Sequence, residues 1–146
     1  MINPSHSQME RVMNLTHINT DNLAPYLPHG LSHAVVAEGG KAVYLSGQLG
    51  WNEDGKIVGP DLADQLAQAH INIKKLLTEV GATAADIVRL NTYVADYRPE
   101  DAPLVAEANL KLFDGATPAS ATLLGVQSLF APDCRCEVEA TAVVKS

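Results

Sequence analysis

The sequence contains few aromatic residues, few cysteines and few basic side chains. One Trp, four Tyr and two Phe stand among 146 residues. No apolar run approaches the roughly 18 residues that a membrane-spanning helix needs, so the sequence predicts no membrane partner. Two cysteines are too few for a disulfide framework, and the N-terminus lacks the basic-then-apolar pattern of a signal peptide. These absences predict a reduced, cytoplasmic protein.

Acidic side chains outnumber basic ones by 17 to 10, which gives a formal net charge of −7. A surface of this sign repels the phosphate backbone, so the sequence disfavours nucleic acid as a partner. The length of 146 residues and the 47% hydrophobic content fit one domain with a core of its own. We therefore predict a flexible polar tail over residues 1–11 and a single domain over residues 12–146.

Hydrophobic periodicity predicts the element order β-β-β-α-β-α-β-β. The helices are expected at 61–80 and between Pro99 and Gly115, where apolar residues recur at three- and four-residue steps. The pair Gly39-Gly40 predicts a tight hairpin between the second and third strands. Two helices cover only one face of a sheet, so a layered α+β domain follows. The strands are expected at 12–18, 33–37, 42–46, 87–95, 122–129 and 134–144.

The sheet face without helices is expected to carry aliphatic side chains. Val35, Ala37, Val43 and Leu45 are the residues assigned to it. An exposed apolar face of this kind needs a cover, and self-association is the usual one.

The last predicted strand alternates between small or apolar and charged residues. Glu137 and Glu139 share one face and lie roughly 6.5–7 Å apart by strand rise, too far for a shared-proton pair. Two interpretations remain open: a solvated face with Arg135 as partner, or a catalytic carboxylate. Cys134 and Cys136 point the other way and are interpreted as small core residues. No further Cys or His has ligand spacing near them, so no metal and no cofactor are predicted.

Short motifs stand in a fixed order between about residues 15 and 144. Each motif is weak alone, but together they resemble the Rid family of reactive-intermediate deaminases (RidA/YjgF type), some of which are described as L-PSP endoribonucleases. The motifs are Ser46-Gly47-Gln48, Asp54-Gly55, Gln65, Asn72, Asp86-Ile87-Val88, Tyr93-Val94, Pro118-Ala119 and Cys136-Glu137-Val138-Glu139-Ala140.

The resemblance implies a chorismate-mutase-like α+β fold, with a mixed sheet, two helices on one face and a barrel-like core shared by a homotrimer. It also implies small-molecule clefts between subunits, in which enamines or imines are hydrolysed. Glu137 matches the glutamate that handles the water, which favours the catalytic interpretation of this carboxylate. The pocket residues expected from the resemblance are Ser46, Gly47, Leu31, Ser32, Glu107, Ser120, Ala121 and Thr122.

The chain departs from the family at the arginine that grips the substrate carboxylate after the Pro-Ala pair. Ser120 follows Ala119 instead, and no basic residue lies between Lys111 and Arg135. Loss of one partner of a buried ion pair costs about 2–5 kcal/mol. We therefore expect a hydrolase of some other small enamine, imine or related nitrogenous metabolite, and poor activity on 2-iminobutanoate.

Two alternatives to this hydrolase remain. The first is a non-catalytic homotrimer that binds a small molecule or acts like a chaperone. The second is a ribonuclease, which the net charge disfavours. The sequence also leaves open whether Arg98 or Arg135 takes the place of the missing arginine.

Overall fold

The computed structural model describes residues 13–146, and its main elements follow the predicted order. The predicted tail over residues 1–11 and the predicted first residue of the first strand, Val12, lie outside the described residues. Three single-turn 3₁₀ helices, Leu27–His29, Ala84–Asp86 and Pro99–Asp101, lie between the main elements. The main elements are β1 (Asn14–Ile18), β2 (Ala34–Glu38), β3 (Lys41–Leu49), α1 (Leu62–Glu79), β4 (Ile87–Ala95), α2 (Ala102–Phe113), β5 (Ser120–Val126) and β6 (Cys136–Val144).

Four strands form a mixed sheet in the order β3-β6-β4-β5. β6 is antiparallel to both β3 and β4, whereas β4 and β5 are parallel. The parallel pair requires a crossover, and α2 provides it. Both helices pack on one face of the sheet, so the expected α+β architecture is confirmed. Neither helix, in the part of the chain described, has the length and apolar character that crossing a membrane requires.

The predicted hairpin between the second and third strands is wrong. The turn itself exists, because Gly39 and Gly40 adopt φ values of 70° and 78°. However, β2 pairs with β1 in a separate two-stranded ribbon, and β3 pairs with β6. The chain on either side of β2 is held by contacts with distant residues. A bridge joins Ser32 to Ser120 before the strand, and Gly40 lies close to the Val144 carbonyl after it. Turn residues specify a reversal of the chain, but long-range packing chooses the strand partner.

The core lies between the helices and one face of the sheet. Leu66 and Ile73 of α1 pack there with Leu90, Val94 and Val138 from the sheet, and all five are fully buried. Burial of this kind supplies most of the folding free energy, at about 25 cal/mol per Å² of apolar surface.

Both cysteines are buried, which confirms that they are small interior residues. Cys136 belongs to the main core, and Cys134 is buried just before β6. Burial raises the pKa of the Cys136 thiol to about 12 and also raises the pKa of Cys134. Since the thiolate is the reactive form, neither cysteine is suited to act as a nucleophile near neutral pH.

The aliphatic residues expected on the uncovered face are elsewhere. Leu45 is in the core and Val43 packs against it, while Val35 and Ala37 belong to the β1–β2 ribbon. The prediction chose the wrong set of alternate residues, because the alternation along β3 does not itself say which set faces the helices. Tyr44 of β3 points away from the core, and it is 80% exposed.

Candidate active site

The sheet face without helices is polar, and we call it the open face. Alternation along each strand directs every second side chain to it. Hydrogen bonds between β4 and β6, and between β4 and β5, show that the central side chains of this face lie together. Its members are Tyr44, Arg89, Asn91, Tyr93, Ser120, Thr122, Leu124, Glu137, Glu139 and Thr141.

Glu137 lies against Gly47 at the centre of the sheet. It pairs in register with Leu49 of β3 on one side and with Tyr93 of β4 on the other. A Cβ atom on residue 47 would overlap the Glu137 carboxylate, so glycine at this position leaves the space that the carboxylate occupies. The register of β3 shifts between Leu45 and Gln48, which places Gly47 within an irregular stretch of strand. Sequence reasoning predicted both Gly47 and Glu137, and the structure brings them into contact.

Glu139 is held by two neighbours on β4. Its Oε1 accepts hydrogen bonds from the Tyr93 hydroxyl at 2.5 Å and from Asn91 Nδ2 at 3.1 Å. The bond from Tyr93 lowers the pKa of Glu139 and raises the pKa of Tyr93. The carboxylate is therefore ionised over the whole physiological range. None of these three residues was predicted as a site residue, although the polar alternation of both strands contained the signal.

A groove beside the open face gathers another part of the predicted set. It has a volume of about 690 Å³ and lies between the Leu27–His29 turn, α2 and β5. Asn109 is buried on its wall, and Asn109 Oδ1 has no hydrogen-bond partner among the described residues. Predicted pocket residues Leu31, Glu107, Ala121 and Thr122 line this groove, whereas Glu137 does not.

The remaining predicted serines have different surroundings. Ser32 is buried, and its hydroxyl donates to the Pro118 carbonyl at 2.6 Å and accepts from Asn19. The Ser120 hydroxyl donates to the Val88 carbonyl at 2.6 Å. Ser46 is exposed beside Gly47. The Ser32 and Ser120 hydroxyls are thus used in hydrogen bonds between neighbouring segments of the sheet, whereas the Ser46 side chain is open to solvent.

The two arginines considered as a replacement anchor have different surroundings, since Arg135 is engaged within its own chain and Arg98 is exposed. Arg135 donates through Nη2 to Asp101 at 3.2 Å and through Nε to the Ala95 carbonyl. Arg98 is exposed and lies 3.7 Å from the Asp96 carboxylate. The open face does carry a guanidinium, because Arg89 is the register partner of Ser120 and donates to Thr122 Oγ1 at 2.5 Å. Counting basic residues along the chain missed Arg89, which comes from the neighbouring strand.

Two motif residues in α1 stabilise the surroundings of the site. The fully buried Gln65 donates to the carbonyls of Gly59 and Asp133 and accepts from the Arg135 amide. Asn72 donates to the carbonyls of Leu49 and Trp51. These bonds satisfy backbone groups at the end of β3 and before β6, and so fix the strands that carry Gly47 and Glu137.

Comparison with known proteins identifies the family. The family model described as Endoribonuclease L-PSP matches residues 22–144. The chain belongs to this family, the Rid/YjgF/L-PSP family. The resemblance found in the sequence motifs is therefore confirmed.

Individual relatives agree with this assignment. A 2-iminobutanoate/2-iminopropanoate deaminase from Dermatophagoides farinae is 32% identical over 108 residues, which cover 73% of this chain and 80% of that protein. The crystal structure of YyfB from Yersinia pestis, a Rid-family protein of unknown function, is 39% identical with a TM-score of 0.88, and covers 90% of this chain and 99% of that one. Escherichia coli TdcF with bound serine is 27% identical with a TM-score of 0.65, and covers 73% of this chain and 83% of that one.

Proposed function

We propose that this protein is a Rid-type hydrolase that releases ammonia from a small enamine, imine or related nitrogenous metabolite. The observation that carries the proposal is the Glu137 carboxylate, which lies on the open face in a space that Gly47 keeps clear. The deaminase from Dermatophagoides farinae supports the reaction class. TdcF with bound serine supports a small polar ligand.

In the proposed reaction, Glu137 orients a water molecule toward the carbon of the C=N bond. The carboxylate accepts a proton from the water as the new C–O bond forms, and returns it to the nitrogen. Glu137 then takes the hydroxyl proton of the resulting carbinolamine and passes it to the amino nitrogen. The C–N bond breaks as the C=O bond forms, so that ammonia leaves and a carbonyl product remains. An enamine enters the same sequence after it tautomerises to the imine.

We further propose that the cleft lies between subunits of a homotrimer. The predicted residues divide into two groups within one chain: Gly47 and Glu137 on the open face, and Leu31 and Glu107 in the groove. The groove has room for a small ligand, but Glu137 does not line it, so neither group alone brings a ligand to this carboxylate. A second copy that faces the first would join the two groups and exclude water from the reacting atoms.

The proposed enzyme is a poor 2-iminobutanoate deaminase. Ser120 stands at the position that the resemblance assigns to the carboxylate-gripping arginine, and its hydroxyl is used by the Val88 carbonyl. A serine supplies neither the charge nor the planar pair of donors with which arginine grips a carboxylate. Arg89, the guanidinium beside Ser120, is directed to Thr122. The favoured substrates are therefore neutral or cationic.

A ligand-binding homotrimer without catalysis is the second candidate. The groove supports it, because 690 Å³ of largely apolar space with the unpartnered Asn109 oxygen on its wall fits a small ligand. The ribonuclease activity in the family description receives less support, since a chain of charge −7 attracts no phosphate backbone.

Ammonium release from a panel of freshly generated imines and enamines tests the proposal. We expect turnover of at least one uncharged member, slower turnover of 2-iminobutanoate, and a loss of roughly 10²–10⁴-fold in Glu137→Gln. Glu79→Gln, which changes an exposed carboxylate at the end of α1, is the control and should keep full activity. Full activity in Glu137→Gln would refute the assigned role. No turnover in the wild type, with ligand-induced thermal stabilisation, would favour the binding protein.

A further inference from the structure

A second cleft lies on the helix side of the protein, across the sheet from Glu137. It separates α1 from α2 and has a volume of about 270 Å³, and we call it the interhelical cleft. Small side chains keep it open, because Ala63 and Ala67 of α1 and Ala108 of α2 form part of its walls. None of these residues was assigned to the site described above.

A buried imidazole lines the interhelical cleft. His70 is only 5% exposed, and its Nε2 atom has no hydrogen-bond partner in the part of the chain that the structure describes. Burial lowers the pKa of His70 to about 4, so the ring is neutral at pH 7. A neutral imidazole has one nitrogen that donates and one that accepts. Because an unpaired buried polar atom is unfavourable, His70 favours an occupant that forms a hydrogen bond.

The rest of the cleft combines apolar surface with charged side chains. Ile71 and Leu104, both partly exposed, add apolar surface to that of the alanines. The charged side chains that line the cleft are exposed to solvent, and they are Lys74, Glu107 and Lys111. The last two pair with each other at 3.2 Å. The cleft therefore favours a ligand that is mostly apolar.

The size and chemistry of the cleft limit what satisfies His70. A buried water needs about two to four polar partners, and the apolar walls beside this ring offer it few. An apolar cavity of about 150 Å³ accepts a benzene ring, so the interhelical cleft has room for a molecule with one ring. A hydroxyl group both donates and accepts, and so it pairs with Nε2 whichever ring nitrogen carries the proton.

We infer that the interhelical cleft is a second ligand site, which binds a small one-ring phenol or alcohol through a hydrogen bond between the ligand hydroxyl and His70 Nε2. The ring of the ligand packs between the alanines of the two helices. Nε2 is covered in the structure, and a rotamer change of a flexible lining side chain such as Lys74 gives the hydroxyl access to it. The inference does not depend on the proposed hydrolase, because Glu137 lies on the open face.

Phenol and toluene are the probes that test this site. They are similar in size, and only phenol carries a hydroxyl group. Titration of the ¹⁵N-labelled protein, followed by amide NMR, measures both affinities and locates the contact. We expect both probes to shift amide resonances of α1 and α2, and phenol alone to perturb the ring resonances of His70.

Three variants show which side chains hold the probes. His70→Leu replaces the imidazole with an apolar side chain, and should lower the ratio of phenol affinity to toluene affinity at least about 5-fold, the equivalent of one hydrogen bond. Ala67→Leu fills the cleft, and should weaken both probes at least about 10-fold. Lys75→Leu is the control, since it adds a leucine to an exposed position of α1 outside the cleft, and it should bind like the wild type.

Four outcomes would overturn the inference. Neither probe shifts α1 and α2 in the wild type, or the affinity ratio is unchanged in folded His70→Leu. Wild-type affinity in Ala67→Leu would place the probes elsewhere, such as in the groove beside the open face. If no probe binds and Ala67→Leu sediments as a smaller species than the wild type, the cleft is a contact between copies. His70→Phe, with far-UV circular dichroism as the fold check, replaces His70→Leu if that variant does not fold.

The outcome is separate from that of the proposed function. Glu137→Gln should bind both probes like the wild type, whatever happens to ammonium release. Probe binding that disappears with the Glu137 carboxylate would assign the probes to the open face and remove the interhelical site.

Discussion

Strand β6 presents two surfaces of different character from alternate residues. Cys136, Val138 and Ala140 point to the helices and are buried, whereas Glu137 and Glu139 point to the open face and are half-buried. The covered face stabilises the fold through close packing, and its side chains offer no strong hydrogen-bond donors or acceptors to a ligand. The open face keeps charged and hydrogen-bonding groups available, so it is the surface on which chemistry and assembly can be built.

The largest difference between the faces should appear in stability. Leu90→Ala removes a fully buried side chain on the helix side of β4, and we expect it to lower the free energy of unfolding by about 2–5 kcal/mol. Leu124→Ala removes a half-exposed leucine on the open face of β5, and should cost less than about 1 kcal/mol at protein concentrations low enough for the chain to be monomeric, where no second copy covers this face. Urea unfolding at one fixed protein concentration measures both. Equal losses would contradict the assignment of the core to the helix side alone.

The helix side should also respond to acid. His70 of α1 is buried against α2, and burial lowers its pKa to about 4. The unfolded chain binds this proton below pH 6.5, whereas the folded chain binds it only near pH 4. The stability that neutral His70 contributes is therefore complete above pH 6.5. As the pH falls toward 4, the free energy of unfolding decreases by up to about 3 kcal/mol. Unfolding free energies between pH 4 and pH 7 should show this slope in the wild type, and a weaker slope in His70→Gln. Identical slopes would contradict it.

On the open face, the space beside Glu137 should be sensitive to one methyl group. Gly47→Ala places a Cβ atom where the carboxylate lies, so Glu137 must move. We expect a loss of activity of roughly 10-fold or more, since a small displacement of a catalytic group slows the reaction. In a double-mutant cycle with Glu137→Ala, the added Gly47→Ala change should have little further effect on activity. Losses that simply multiply would show that residue 47 acts independently of Glu137.

The smallest expected effect concerns the support of Glu139. Tyr93→Phe deletes the hydroxyl that donates to this carboxylate, and should cost about 1 kcal/mol or less at this half-exposed position. It should also move the pKa of the Glu139 carboxyl upward, because the bond from Tyr93 is the main cause of its depression. Carbon-13 NMR of the carboxyl group measures this titration. An unchanged pKa would assign the depression to Asn91 instead.

The elements of the fold could be read from the sequence, but several of their partners could not. The spacing of Leu66 and Ile73 predicted α1, and the alternation around Glu137 predicted β6 with its two faces. Local patterns carry this information because each element has its own period. The pairing of β2 with β1 depends on contacts distant in sequence, and so the predicted hairpin was wrong.

The candidate site shows the same division. Gly47 and Glu137 were predicted from motifs, and the structure places them in contact. Arg89 was missed because it enters the open face beside Ser120 from a different strand, a neighbour that only the register of β4 with β5 reveals. The sharing of the cleft between copies is a property of an assembly, and it stays a prediction.

Specific activity followed through dissociation of the trimer tests the central claim, which is that copies share the open face and the site on it. The rate of ammonium release per chain should fall in parallel with the trimer fraction as the wild type is diluted. A folded monomer that releases ammonia as fast as the trimer would contradict the account.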